Sequence, residues 1–166
     1  VTSLWSDQLE KLHSVFPGLK VIFTISPVRH WKDGAHGNQI SKSVLILAIE
    51  ELQKHPLNPG YFPAYELVMD DLRDYRFYDT DMLHLSESAV EYIWDAFAKC
   101  FIEDKTYNTY LEVLKITRAV MHRIQSDSSQ TKRFAGNMIS KINDLKKKYP
   151  FIDLETEKKY FAALLE

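Results

Sequence analysis

The sequence predicts an α/β fold with a small parallel sheet, followed by a helical tail. Two short runs, 19–25 and 61–67, are rich in apolar, β-branched and aromatic residues, as buried strands are. One helical apolar pattern lies before the first run, and another separates the two runs. This order of helix, strand, helix and strand is typical of parallel sheets, whose strands are joined by helices. From residue 86 onward the periodicity is helical.

The composition is that of a globular chain without a membrane span. Hydrophobic residues make up 45% and charged residues 27% of the 166 positions, and no run of about 18 apolar residues occurs. Cys100 is the only cysteine, which excludes an internal disulfide. It lies in an apolar helical pattern, so we expect it to pack as a small hydrophobic side chain. We expect a cytoplasmic protein with no membrane partner.

Turn signals divide the first 67 residues. The first helix, predicted over 2–16, ends at a Pro-Gly pair, and a polar loop is predicted over 26–38. The second helix, 40–53, is apolar almost all round, which predicts burial on every side. A segment with two prolines ends it. Pro63 places the second strand at a sheet edge, or marks the beginning of that strand.

Four helices are predicted after the second strand. Ser86 can cap the first of them, because a serine hydroxyl can accept a backbone hydrogen bond at a helix start. That helix has an inward apolar stripe made of Val90, Ile93, Trp94, Phe97 and Phe101. The first tail helix is marked by Tyr107, Tyr110, Leu111, Leu114, Met121 and Ile124. The second is marked by Phe134, Met138, Ile142, Leu145 and Tyr149, and a short last one by Tyr160, Phe161 and Leu164.

The charge distribution separates an acidic region from a basic one. Residues 1–104 carry 9 Lys/Arg and 16 Asp/Glu, whereas residues 105–149 carry 10 and 3. We therefore predict an α/β domain over 1–104 and a helical extension over 105–166. The basic helices either bind an anionic partner or are solvated and complement the acidic region. They lack the interleaved aromatic and basic residues of known nucleic-acid-binding motifs, which argues against DNA or RNA.

Asp81 and His84 are the strongest candidates for chemistry. Residues three apart are neighbours in a helical turn, so Asp81 can accept a hydrogen bond from one ring nitrogen of His84. This bond fixes the tautomer and leaves the other nitrogen as a base. We predict that a carboxylate oxygen lies within about 3.2 Å of His84 Nδ1. The alternative is a capping Asp beside a surface His, because this spacing occurs by chance in many helices.

The loop after the first strand is the second candidate region. His30, Asp33 and His36 could offer two imidazoles and a carboxylate to a metal. Their spacing is not that of a common zinc motif, and we predict neither a metal nor a cofactor. We expect His30 and His36 to form a wall of the site, because loops after parallel strands face the ligand crevice. Arg29 can bind an anionic substrate group or pair with a nearby Asp.

Four blocks of the sequence, taken in order, closely resemble the bacterial GSCFA family, which is named for a Gly-Ser-Cys-Phe-Ala motif. The blocks are IFTISPVRH (22–30), DGAHGNQISK (33–42), YFPAYE (61–66) and DLRDYRFY (71–78). That family is similar to the SGNH/GDSL hydrolases, which are three-layer α/β esterases. The resemblance therefore implies the C-terminal half of such a domain, with few parallel strands. It also implies that Asp81 and His84 match the Asp-x-x-His block, which carries the catalytic base and its orienter.

The nucleophile of such an enzyme is missing from the sequence. No Gly-Ser-Cys-Phe-Ala, Gly-Asp-Ser or Gly-x-Asn-Asp occurs. Ser26 follows a strand, but Pro27 lacks the backbone N–H that an oxyanion hole would use, so Ser26 is predicted to be a turn residue. Ser41 and Ser43 are predicted to be structural residues at or inside a helix start.

The resemblance thus implies a serine esterase or deacylase acting on a small-molecule or glycan ester, with this chain supplying the base and inactive alone. Two strands are too few for a parallel sheet covered on both faces. We therefore expect an upstream segment or another chain to complete the sheet. The alternative is a non-catalytic binding or scaffold module whose basic tail engages a glycan or nucleic acid.

Overall fold

The computed structural model describes residues 1–121 and 129–166. The chain forms two compact units, Val1–Phe101 and Ile102–Glu166, and buried apolar clusters lie within each of them. Ile124, which the sequence pattern places in the first tail helix, lies outside the described residues. Within the described ranges, no helix combines the length and the apolar character that crossing a membrane requires.

The first unit is a helix-rich α/β structure. Its elements are α1 (Thr2–Val15), β1 (Ile22–Thr24), α2 (Gly34–Leu52), β2 (Gly60–Phe62), α3 (Ala64–Asp70) and α4 (Glu87–Phe101), with 3₁₀ turns at Trp31–Asp33 and Tyr75–Phe77. The two strands pair in parallel, with Phe23 opposite Tyr61. The predicted α/β class with two parallel strands is therefore confirmed.

Two buried clusters connect the segments that follow the strands. In the first, Ile25 at the end of β1 packs with Ile49 of α2 and Tyr65 of α3. In the second, Val68 of α3 packs with Tyr78, which lies before α4. Because Tyr65 and Val68 are both on α3, this short helix ties the end of β1 to the segment that leads into α4.

The predicted second strand, 61–67, is wrong beyond its first two residues, because β2 ends and α3 begins within that range. Pro63 separates the two elements, since it cannot donate to a strand ladder and its φ of −83° suits entry into a helix. Ala64, Tyr65 and Val68 are all buried. Their spacing is that of one helix face, so the apolar run combines a short strand with a helix.

The predicted loop over 26–38 is wrong in its second half, because α2 begins at Gly34. Gly34 has a φ of +70°, in the left-handed region that glycine adopts without steric cost, and it turns the chain out of the preceding 3₁₀ turn. Gly37 lies against Asp33, since a Cβ added at Gly37 would be 2.7 Å from the Asp33 Cβ. The glycines that suggested a loop instead allow the helix to start close to the turn.

The prediction that α2 is buried on every side is also wrong. Ile40, Val44 and Leu47 share one face at helical spacing and are 52%, 50% and 70% exposed. Ile49 and Leu52 lie on another side of the helix and are buried. Neighbouring exposed apolar side chains are a common mark of an interaction surface.

The start of α4 agrees with the sequence, but its packing does not. The hydroxyl of Ser86 accepts a hydrogen bond from a backbone N–H of the first turn, as predicted for a cap. The inward stripe is narrower than predicted, because Val90 and Phe101 are exposed. Cys100 is exposed as well, so the prediction that it packs is wrong. Helical periodicity fixes the direction of these side chains but not what lies opposite them.

The described residues of the second unit form three helices, as predicted: α5 (Asp104–Met121), α6 (Ser129–Lys148) and α7 (Glu155–Ala163). Its core surrounds Phe161 of α7, which is fully buried together with Ala135 and Ile142 of α6. Phe134 packs edge to face against Phe161, with ring centres 6.1 Å apart. Three lysines occupy the last turn of α6, where the helix dipole favours positive charge.

Phe161→Ala tests this core. Removing the buried ring leaves a cavity, and we expect the free energy of unfolding to fall by about 3–5 kcal/mol. Urea unfolding of the 166-residue chain, followed by circular dichroism, measures the loss. Phe151→Ala is the matched control, because this ring is 83% exposed and its removal should change stability by less than about 0.5 kcal/mol. Similar losses in both variants would contradict the core described here.

Candidate active site

Residues 79–84 form a tight loop that is closed at its neck. Tyr78 and Leu85 form an antiparallel bridge at that neck. Inside it, the backbone N–H of Asp79 donates a hydrogen bond to the carbonyl of His84 at 2.9 Å. These contacts fix where the loop begins and ends, and the candidate catalytic residues lie between them.

Asp81 and His84 are hydrogen-bonded to each other inside this loop. Asp81 Oδ2 lies 2.5 Å from His84 Nδ1, so the predicted distance is confirmed. The other oxygen, Oδ1, accepts hydrogen bonds from the backbone N–H groups of Leu83 at 2.8 Å and of His84 at 2.9 Å. The turn is not helical, because α4 begins only at Glu87. The carboxylate shapes the turn by bonding to the backbone two and three residues ahead, as Asp often does.

The pair shifts the titration of both its members. The pKa of Asp81 falls from 3.8 to about 2, first because of the hydrogen bond from the His84 ring and then because of the two backbone N–H groups. The hydrogen bond to Asp81 raises the pKa of His84 above 6.5, and the charge of Asp79 adds slightly. The side chains of His84 and Asp81 are 64% and 44% exposed. Because Nδ1 is occupied, Nε2 is the ring nitrogen left for proton transfer.

Arg29 contacts the 79–84 loop from the segment that follows β1. Its backbone N–H donates to the Leu83 carbonyl at 3.3 Å, and its Nη1 donates to the Met82 carbonyl at 3.2 Å. Its guanidinium carbon lies 4.1 Å from the centre of the Tyr78 ring. The sequence suggested an anionic group or an aspartate as the partner, whereas these partners are carbonyl oxygens and an aromatic face.

His30 and His36 are placed separately. The backbone N–H of His30 donates to Asn38 Oδ1 at 2.9 Å, and its Nδ1 lies 3.3 Å from Asp33 Oδ2. His36 is exposed on the first turn of α2. In the part of the chain that the structure describes, no three His, Cys, Asp or Glu side chains are arranged to hold a metal ion.

A crevice of about 270 Å³ lies beside Arg29. Its walls come from the segment after β1, from α2 and from α3, and they include Pro27, His30, Trp31, Asn38, Tyr65 and Met69. His36 is not among the residues that line it. Arg29 lines the crevice and also contacts the 79–84 loop. The crevice and the Asp81–His84 pair are therefore connected through one side chain.

Comparison with known families matches both parts of the chain. Residues 1–97 match the GSCFA family, and residues 113–166 match a model described as GSCFA domain protein, C-terminal domain. The chain belongs to the GSCFA family. The first match contains both strands, the crevice and the whole 79–84 loop, and it confirms the resemblance that the sequence suggested. No curated protein and no solved structure matches the chain.

Two of the three serines considered as nucleophiles make local hydrogen bonds in this GSCFA protein. Ser26 Oγ accepts a hydrogen bond from the backbone N–H of Val28 at 3.3 Å, so its prediction as a turn residue is confirmed. The Ser43 hydroxyl donates to the Gln39 carbonyl one turn earlier in α2, at 2.8 Å. Ser41 is exposed within the same helix.

Lys42 is a residue that sequence reasoning missed. It is only 8% exposed, and its Nζ donates to the carbonyls of Ser26 at 2.5 Å and of Val28 at 3.1 Å. Burial lowers the pKa of its ammonium group. Lys42 thus holds the backbone immediately before Arg29. The signal that could have identified it is a lysine among the apolar residues of α2, because a buried charge needs polar partners.

Asp81→Asn should lower the pKa of His84 toward 6.5, because an amide does not supply the charge that favours the imidazolium. Titration of the His84 ring protons by NMR measures the change. Asp79→Asn is the control, since Asp79 makes the smallest contribution to the shift. It should lower the pKa of His84 much less. Equal effects of the two substitutions would show that the pair is not bonded as described.

The contribution of the Asp81–His84 pair to the stability of the folded state varies with pH. Ionised Asp81, whose pKa falls from 3.8 to about 2, stabilises the folded state above about pH 4, and this contribution is lost as the pH falls toward 2. Because the pKa of His84 is raised, its protonation stabilises the folded state below pH 6.5 and loses that effect as the pH rises through the raised value. The difference in unfolding temperature between the wild type and Asp81→Asn should therefore be largest between about pH 4 and pH 6.5. The difference should be small, because both side chains are exposed.

Proposed function

We propose that this GSCFA protein contributes the catalytic base of a serine esterase or deacylase of the SGNH/GDSL type. His84 accepts the proton of an attacking hydroxyl through Nε2. Asp81 keeps Nδ1 protonated and stabilises the imidazolium that forms. The hydrogen bond between Asp81 and His84 carries the proposal, because it orients the ring as such a base requires.

The solvent exposure of Asp81 and His84 supports a role in proton transfer rather than in stabilising the fold. A serine hydroxyl is a weak nucleophile at its free pKa, so it needs a base that it can reach. The His84 side chain is 64% exposed and therefore accessible to another group. A buried histidine pair would contribute to packing, whereas this pair lies in a loop at the surface. General-base catalysis of this kind contributes about 10²–10⁴-fold to a rate.

The proposed nucleophile is a serine outside these 166 residues. No serine-block motif occurs in the sequence, and Ser26 is engaged in a turn beside Pro27. We propose that an upstream segment or a second chain supplies the serine and extends the sheet toward a three-layer α/β domain. Two exposed features support such an extension. Ile22 in β1 is 37% exposed, and Val44 in α2 belongs to an apolar face that is open to solvent.

The proposed substrate is a small-molecule or glycan ester that enters the crevice beside Arg29. A volume of about 270 Å³ suits one group of a ligand rather than a large chain. Trp31 lines this crevice and is 65% exposed, and Tyr65 adds a second aromatic side chain. Polar groups from His30 and Asn38 lie beside them, a mixture that is typical of ligand sites.

A binding module with a basic tail is the second candidate. Lys115, Lys141 and Lys148 line a cavity of about 350 Å³ within the second unit. Glu112 and Asp144 line the same cavity and reduce its attraction for anions. If this candidate is correct, binding of the chain to a sulfated polysaccharide should weaken steeply as salt is added.

The esterase proposal predicts that the 166-residue chain hydrolyses a short-chain aryl ester at or near the background rate. A protein that also contains the serine block should hydrolyse the ester and should be labelled on that serine by a fluorophosphonate. In that protein, His84→Ala should reduce kcat/KM by about 10²–10⁴-fold. Ester hydrolysis and labelling of both proteins provide the measurement.

His13→Ala is the matched control for this experiment, because His13 is an exposed histidine near the end of α1. It should leave hydrolysis unchanged. Full activity of the 166-residue chain would mean that one of its own serines is the nucleophile. Unchanged activity of the larger protein after His84→Ala would refute the mechanism.

A further inference from the structure

The tip of the 79–84 loop contains a backbone conformation that needs support. Met82 has a φ of +61°, in the left-handed region that side chains other than those of Asn and Asp rarely adopt. The bridge between Tyr78 and Leu85 closes the neck of the loop and does not reach this tip. An unfavourable conformation of this kind persists where surrounding contacts hold it in place.

Arg29 supplies contacts at the tip. Its guanidinium donates to the Met82 carbonyl, and its backbone N–H donates to the next carbonyl, that of Leu83. Both carbonyls lie between Asp81 and His84 in the sequence. The guanidinium carbon lies over the Tyr78 ring, which is almost completely buried. Arg29 thus connects Met82, at the tip of the loop, to the buried Tyr78 ring, at the start of the loop.

We propose that Arg29 is the positioning residue of the base. Its guanidinium, held between the Tyr78 ring and the Met82 carbonyl, keeps the loop in the conformation in which His84 bonds to Asp81. This inference deepens the proposed function and rests on it for the role of His84 as a base. The positioning itself follows from contacts within the 166-residue chain.

Arg29 is in turn supported from α2. The ammonium group of Lys42 donates to the carbonyls of Ser26 and Val28, and Val28 immediately precedes Arg29. Lys42 is buried, so these bonds are shielded from water. The hydrogen bonds of Lys42 and those of Arg29, joined by the peptide bond between Val28 and Arg29, therefore connect α2 to the loop that holds the Asp81–His84 pair.

The arrangement favours an arginine over a lysine. A planar guanidinium can stack on a ring and donate hydrogen bonds in its own plane at the same time. A lysine ammonium can interact with the ring face but has no such plane. We therefore expect Arg29→Lys to support the loop partly, and Arg29→Met, which keeps an unbranched apolar stem without the charge or the hydrogen-bond donors, to support it least.

The test is NMR titration of His84 in the 166-residue chain carrying each substitution. Release of the loop separates His84 from Asp81 for part of the time, so the pKa of His84 should fall toward 6.5, and most in Arg29→Met. Loss of a neighbouring positive charge by itself would raise the pKa of a histidine that lies among Asp79 and Asp81. The sign of the change therefore separates positioning from a simple charge effect.

Met82→Asn provides an independent variant. Asparagine adopts the left-handed conformation more readily than methionine, so the loop should need less support. Added to Arg29→Met, this substitution should restore part of the lost pKa shift of His84. By itself it should leave the titration of His84 close to that of the wild type. Circular dichroism of every variant should show the same helix content as the wild type, which excludes general unfolding as the cause.

An unchanged or raised pKa of His84 in Arg29→Met overturns the proposal. If Arg29→Met does not fold, a folded Arg29→Lys protein whose His84 titrates as in the wild type overturns it equally. The titration needs no esterase activity, so its failure is distinct from a failure of the proposed function. In a protein with the serine block, the same positioning predicts that Arg29→Lys lowers kcat by up to about 10²-fold.

Discussion

The three hydrogen bonds accepted by the Asp81 carboxylate are the interaction on which the candidate site depends. Two of them come from backbone N–H groups and shape the turn, and the third orients the His84 ring. An exposed ion pair by itself stabilises a protein little. Here one carboxylate bonds to the local backbone through Oδ1 and to the ring through Oδ2, so the bonds that shape the turn also place Oδ2 beside His84. Orientation of His84 is thus a property of the turn and not of an isolated contact.

The contacts of Arg29 can offset the free-energy cost of the left-handed conformation of Met82. A left-handed residue such as Met82 costs about 1–2 kcal/mol. A cation over an aromatic ring contributes about 0.5–1 kcal/mol at exposed sites, and a hydrogen bond from a charged group contributes about 1.5–3 kcal/mol. The contacts of Arg29 with Tyr78 and with the Met82 carbonyl are therefore of the size needed to offset the strain.

Contacts between residues close in the sequence could be predicted from the sequence, whereas contacts between distant residues could not. The Asp81–His84 bond spans three residues, so spacing was sufficient to predict the contact, although the turn that forms it is not the helical one that the spacing suggested. The contact of Arg29 with Met82 spans 53 residues, and no local pattern indicates it. The apolar pattern of α2 shows that several of its faces are hydrophobic, but it does not show that one of them stays open in the described unit. The sequence predicts Pro63 at the beginning of the second strand or at a sheet edge, whereas Pro63 follows the end of β2. The apolar residues after it fit a strand and a helix equally well until the structure showed a helix.

Gly37 shows how little space separates the first turn of α2 from the preceding 3₁₀ turn. Because a Cβ at this position would lie 2.7 Å from that of Asp33, any other residue must push Asp33 aside. Asp33 Oδ2 lies 3.3 Å from His30 Nδ1, and His30 lines the crevice. A single methyl group added at Gly37 would therefore act on the crevice indirectly, by displacing Asp33 from its place beside His30.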